Sequence, residues 1–195
     1  MNKTNYRVFV SGDWRPDEVR QFASAGRQLG VLLAEAGYDI TCGPGSGVAR
    51  YVLEGYYSVP AKKRGQVIFY LPKLKEMVRV GEQMELGADV IVKTGQNYPI
   101  RNVIQVESSD ALIALTGGAG TTTEIISAVL DFRLPVAVLD HSGPMVQAVR
   151  ALPSVEEEVF FGTSPEALVN YIGQKLTQAL PKNAASHTNG VTVSL

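Results

Sequence analysis

Short runs of Val and Ile without polar alternation recur down this chain, separated by longer stretches with helical spacing. The runs are Tyr6–Ser11, Tyr38–Cys42, Gln66–Leu71, Asp89–Thr94, Ala111–Thr116 and Val136–Asp140, with a weaker seventh at Glu157–Phe161. Consecutive apolar residues suit strands buried on both faces, as in a parallel sheet covered by helices. The helical stretches supply the cover. Val19, Phe22, Leu29, Leu32, Leu33 and Ala36 form one apolar stripe, opened by Pro16 and closed by Gly37. Val48–Tyr57, Pro99–Ser108, Thr122–Phe132, Gly143–Leu152 and Pro165–Leu180 read as further helices, and Lys73–Gly87 as helical in part.

Strand–helix alternation of this kind predicts an α/β fold: a doubly wound, Rossmann-like parallel sheet of six to seven strands with right-handed crossovers. The 195 residues suffice for one domain and leave little room for a second. We place that domain at residues 1–180. The polar segment 181–195 has no helical stripe and is expected to be a mobile tail.

A net charge of −1 gives no whole-chain basic field of the kind that nucleic-acid binding calls for. The cluster Lys62-Lys63-Arg64 reads as a solvated loop. Cys42 is the only cysteine, so no intramolecular disulfide and no multi-cysteine metal site is expected. It closes an apolar strand and reads as a buried thiol rather than a nucleophile; His141 and His187 are the only histidines that could serve it as a base. No metal and no cofactor is implied. No apolar run has membrane-spanning length and the N-terminus shows no signal-peptide pattern, so a cytoplasmic protein is expected.

In a doubly wound sheet, ligands sit outside the carboxyl ends of the strands, where strand order reverses. The first strand is followed by Gly12, without the glycine triplet of a dinucleotide fingerprint, and no Walker A pattern occurs anywhere. The second strand runs into "GPGSG", with Gly43, Gly45, Ser46 and Gly47 ahead of a helix. The fifth runs into "GGAGTTTE", with Gly117, Gly118, Gly120, Thr121 and Thr122. Glycines let backbone N–H groups approach an anion, and a helix N-terminus adds about half a positive charge. Two such turns on one sheet edge fit a ligand that carries a phosphate and a sugar. A purely structural reading stays open for "TTTE": Thr121 as a helix cap and Glu124 bonding back to it, a capping box.

Between the fourth and fifth strands, Ile100, Val103 and Ile104 form the expected buried stripe of a helix, and Arg101, Gln105 and Ser108 share another face. A cation in the first turn opposes the helix dipole, so Arg101 is a candidate for function. Asp110 reads as a structural hydrogen-bonding residue.

Arg101, Asp110 and "ALIALTGGAGTTTE" through Glu124 resemble, without a gap, the signature of the LONELY GUY phosphoribohydrolases, a family often mislabelled lysine decarboxylase. The resemblance spans roughly Tyr6 to Leu180. It implies cleavage of a nucleoside 5′-monophosphate to free base and ribose 5-phosphate. Arg101 and Glu124 would be catalytic, and Gly117, Gly118, Gly120 and Thr121 would hold the phosphate, with Gly45 and Gly47 lining the site. Where that family has lysine after the arginine this chain has Asn102, and Thr116 stands in place of its proline. The Arg101-Asn102 pair, with a short glycine loop after the second strand, is more similar to the molybdenum cofactor carrier-like branch, which implies binding of a phosphorylated ligand without cleavage. The resemblance also implies a homodimer or larger homo-oligomer. Hydrolase, carrier or sensor, and scaffold with purely structural glycine turns all remain open. Side chains such as Trp14, Tyr98 and Arg50 would set base specificity.

Overall fold

A computed structural model of the chain describes residues 6–178 apart from 45 and 85. Gly45, His187, the end of the last helix at Leu180 and the segment 181–195 therefore lie outside the described residues. The sheet has seven parallel strands in the order β4-β3-β2-β1-β5-β6-β7. They are β1 Arg7–Ser11, β2 Asp39–Cys42, β3 Val67–Leu71, β4 Val90–Lys93, β5 Ala111–Ala114, β6 Val136–Leu139 and β7 Val159–Gly162. The weak seventh run is thus a true edge strand.

Neighbouring residues on one strand serve opposite layers. Val8 and Val10 of β1 pack with Ile40, Cys42, Phe69 and Ile113 on one face. Phe9 packs with Leu112, Ala114, Val136 and Val138 on the other. Both faces are apolar, which is why the strands show no alternation. β4 departs from this expectation: it is an edge strand, and Val90 and Ile91 are exposed.

The first face is covered by α2 Ala23–Glu35, α3 Val48–Ser58 and α9 Pro165–Gln178. A short helix α1 Pro16–Val19 and a 3-10 turn lead into α2. Glycines let α2 and α3 approach closely. A Cβ on Gly30 would stand 2.0 Å from the Val52 carbonyl oxygen, and one on Gly55 1.9 Å from that of Arg27. The second face is covered by α5 Tyr98–Glu107, α6 Ala119–Leu130 and α7 Pro144–Arg150, with α8 Pro153–Glu156 behind them. The half-helical stretch 73–87 resolves into α4 Leu74–Val80 and an irregular return.

The burial of α5 is the reverse of its apolar pattern. Ile100 and Val103 are exposed, whereas Arg101 and Gln105 are buried beside Val106. The helix turns its polar stripe toward the carboxyl edge of the sheet. Arg64 is likewise not a solvated charge: it donates to Asp89 at 2.8 Å and lies 4.7 Å from the centre of the Tyr57 ring. Asp110 is structural, accepting the Arg7 N–H at 2.8 Å across the β1–β5 seam. Among the described residues no helix is long and apolar enough to cross a membrane.

Candidate functional site

Strand order reverses between β1 and β5, and a cavity of about 370 Å³ opens at their carboxyl ends. That volume lies in the usual range of small-molecule sites, roughly 300–1,000 Å³. Ser11, Gly12, Gly43, Ser46, Arg101, Gly118, Gly120, Thr121 and Glu124 all line it. Gly47, Gly117 and Thr122 do not.

The turn after β5 is not the capping box that its sequence fits. The helix begins three residues earlier, at Ala119, with Gly118 as its cap and no side chain capping it. Glu124 therefore falls in the second turn, beyond reach of the first amides. The amides of Ala119, Gly120 and Thr121 have no acceptor within the helix, and these three residues face the cavity. The earlier start also displaces Thr122, whose hydroxyl donates back to the Gly118 carbonyl at 3.0 Å. Gly117 makes room for Thr121, whose Oγ1 would be 2.2 Å from a Cβ there.

Glu124 lies in the cavity wall and is buried. Its carboxylate accepts the hydroxyl of Ser11, the last residue of β1. Burial pushes the Glu124 carboxyl above its ordinary range, while the Ser11 hydrogen bond and the Arg101 charge pull the other way.

The turn after β2 is built differently. Gly47 sits at φ +58, and a Cβ there would be 2.2 Å from the Asp13 carbonyl oxygen. That same carbonyl takes the Val48 N–H at 2.9 Å, at the first residue of α3. The side chain of Val48 then presses on Gly12, 2.8 Å from where its Cβ would stand. The turn clamps the β1 loop, and the amide that opens α3 already has its partner. Gly43 and Ser46 do reach the cavity, but they face Arg101 and Glu82.

Arg101 is only 6% exposed, with its Nη1 donating to Gln105 at 2.8 Å and its guanidinium carbon 5.2 Å from the centre of the Tyr98 ring. Its Nε, the Oδ1 of Asn102 and the Nε2 of Gln105 are buried without a partner. Cys42, behind this wall, is pushed up to about 12 by burial, so its thiol is not a nucleophile at neutral pH. Arg50 stands outside the cavity and pairs with Glu54 at 3.0 Å.

Sequence reasoning passed over two site residues. Ser11 had a usable signal, as the terminal polar residue of a central strand. Glu82 had almost none. It follows Gly81, which ends α4 in a left-handed turn at φ +73. The Gly81 N–H bonds the Val78 carbonyl and the Glu82 N–H the Met77 carbonyl, at 3.2 and 3.1 Å, the pattern of a Schellman motif. This turn carries Glu82 into the cavity wall, where Ser46 Oγ donates to Oε1 at 3.2 Å and the Tyr98 hydroxyl donates to Oε2. Burial and that bond raise the Tyr98 hydroxyl above its usual range. Trp14 lines the same cavity.

The model of the SLOG cluster4 family matches residues 5–169. The chain belongs to the SLOG cluster4 family. It is 33% identical over 144 residues to an uncharacterised protein of Archaeoglobus fulgidus, covering 74% of this chain and 80% of that one. The fold is similar to the molybdenum cofactor binding protein of the phototrophic bacterium Rippkaea orientalis, with a TM-score of 0.69 at 23% identity over 90% of this chain and 99% of that chain. For the Moco carrier protein of Chlamydomonas reinhardtii the TM-score is 0.73 at 21% identity, over 90% and 99%. DNA processing protein A of Helicobacter pylori, which binds single-stranded DNA, gives 0.55 at 16% identity, over 91% and 83%. At these identities the structural likenesses establish the fold of this SLOG cluster4 chain.

Proposed function

We propose that the chain binds a nucleoside 5′-monophosphate and hydrolyses its N-glycosidic bond. The observation that carries this reading is one cavity holding both an uncapped helix N-terminus and a buried carboxylate, Glu124. The amides of Ala119, Gly120 and Thr121 would take the 5′-phosphate. Glu124, steadied by Ser11, would face the sugar and stabilise an oxocarbenium-like transition state. The oxygen of water bonds to C1′, the C1′–N bond breaks, and its electron pair leaves on the base nitrogen, which takes a proton. Arg101, with N–H groups to spare, would draw charge toward the leaving base. The LONELY GUY-like run from Arg101 to Glu124 supports the same assignment of roles.

The test is free base released from a panel of nucleoside monophosphates. Glu124→Gln should slow release about a hundredfold or more while nucleotide binding persists. Release at an unchanged rate would sink the assignment. A second reading is favoured by the fold likeness to proteins that bind or carry the molybdenum cofactor: a carrier or sensor of a phosphorylated ligand. It requires saturable binding with no base released from any nucleotide. Under either reading we propose a homodimer or larger homo-oligomer, supported by the apolar side chains of Ile100 and Val103 left exposed on α5 beside the site. Sedimentation velocity of the unmodified chain and of Val103→Glu checks this.

A further inference from the structure

Glu82 is a buried carboxylate whose surroundings do not exhaust it. It is 8% exposed and lines the cavity. A carboxylate only accepts hydrogen bonds and has about four lone-pair positions. Ser46 occupies one on Oε1 and Tyr98 one on Oε2. One donor on each oxygen fixes the plane of the group and leaves each oxygen a second position.

Arg101 stands beside it. A Cβ placed on Gly43 would lie 3.7 Å from Arg101 Nη1 and 3.8 Å from Glu82 Oε1, so the two groups flank a residue that has no side chain to separate them. Arg101 only donates, and its Nε lacks an acceptor. This wall therefore sets the donors of Arg101 beside the two acceptor oxygens of Glu82. Its complement is a carbonyl oxygen, a ring N–H and an exocyclic amine in a row. A 2-amino-4-oxopyrimidine ring, as in guanine or a pterin, has that edge. Hypoxanthine lacks the amine. Adenine puts a ring acceptor where the ring N–H is needed, and cytosine presents the opposite order.

The same carboxylate repels phosphate, which would send a ligand's phosphate to the opposite wall at the start of α6. Trp14, 39% exposed in the cavity lining, adds an aromatic face suited to a flat ring. Resting on the ligand site proposed above, we infer that Glu82 is the specificity-determining residue and that it selects phosphorylated ligands carrying a 2-amino-4-oxopyrimidine edge.

The experiment is calorimetric titration of the full chain with GMP, IMP, AMP, neopterin 3′-monophosphate and ribose 5-phosphate, with KM substituted for Kd wherever base is released. GMP or the pterin phosphate should bind about tenfold or more tighter than IMP, and tighter still than AMP. Which of the two binds better identifies the source of the ring. Glu82→Gln, which replaces one acceptor by a donor, should erase the preference for GMP over IMP without weakening ribose 5-phosphate binding. The ligand series on the unmodified chain decides the matter whether or not that variant folds. IMP or AMP binding as tightly as both amino-oxo ligands would overturn the inference. So would a preference that survives in a folded Glu82→Gln protein. Ribose 5-phosphate binding with no ring preference would keep the phosphate site and remove the role of Glu82. Failure of all five ligands to bind would remove both.

Discussion

The turn after β2 and the turn after β5 look alike in sequence and differ in what fills the space beside their glycines. At Gly47 that space is occupied by the backbone of Asp13 and Trp14, and the backbone angle itself excludes other residues. At Gly118 and Gly120 nothing lies within 4 Å of a Cβ position. One turn spends its glycine on packing, clamping the β1 loop to α3. The other keeps its backbone bare toward the cavity. A glycine-rich strand-to-helix turn is thus no sign of an anion site until the neighbours of each glycine are known.

Gly47→Ala breaks the comparison most severely if it is wrong. The substitution meets both a left-handed backbone and a carbonyl oxygen 2.2 Å away. We expect a loss of about 3 kcal/mol or more, read as a lower urea midpoint with an unchanged slope. A midpoint close to that of the unmodified chain would mean that the turn is not a clamp.

The same contrast marks what the sequence could disclose. Strands buried on both faces announce themselves by consecutive apolar residues, and each run fell on a strand of the sheet. The face of α5 could not be read this way. Apolar stripes point inward only where the interior is wholly apolar, and here α5 buries Arg101, which lines the cavity, and Gln105, which accepts a hydrogen bond from it. "TTTE" satisfies a capping box in composition, but Gly118 and the two small residues after it let the helix start at Ala119 and take Glu124 out of the cap. Arg101 and Glu124 were legible because a fixed spacing carried them. Glu82 was not, because its position depends on how the Gly81 turn folds back over α4.

The carboxylate beyond the β5 turn gives a second separation, in pH. Burial raises the folded-state titration of Glu124 above the ordinary carboxylate range, where the unfolded chain titrates. Between those two points the folded protein holds a proton that the unfolded chain has released. The stability this group contributes is therefore complete below the ordinary carboxylate range and is lost as pH rises through the folded value. Glu124→Gln should flatten that part of the stability profile, measured by urea unfolding from about pH 4 to about pH 8. If ionised Glu124 is the group that works on the sugar, base release should also fade on the acid side at a pH above the usual carboxylate range. An acid limb at the ordinary value would place Glu124 in better contact with solvent than its burial indicates.

Gly120→Ala has the smallest expected effect on the fold and sharpens the comparison most finely. Gly120 lies in the first turn of α6, its Cβ would meet open space, and alanine is the better helix former. Stability should hold or rise by about half a kcal/mol, the opposite sign to Gly47→Ala in the sister turn. Binding should move the other way. A methyl group beside the bare amides of Ala119, Gly120 and Thr121 crowds any phosphate seated there, so affinity for ribose 5-phosphate should fall by about threefold to tenfold. A variant that gains stability and loses ligand separates the two functions of glycine within one protein. One that loses neither would mean that the phosphate does not sit at the start of α6.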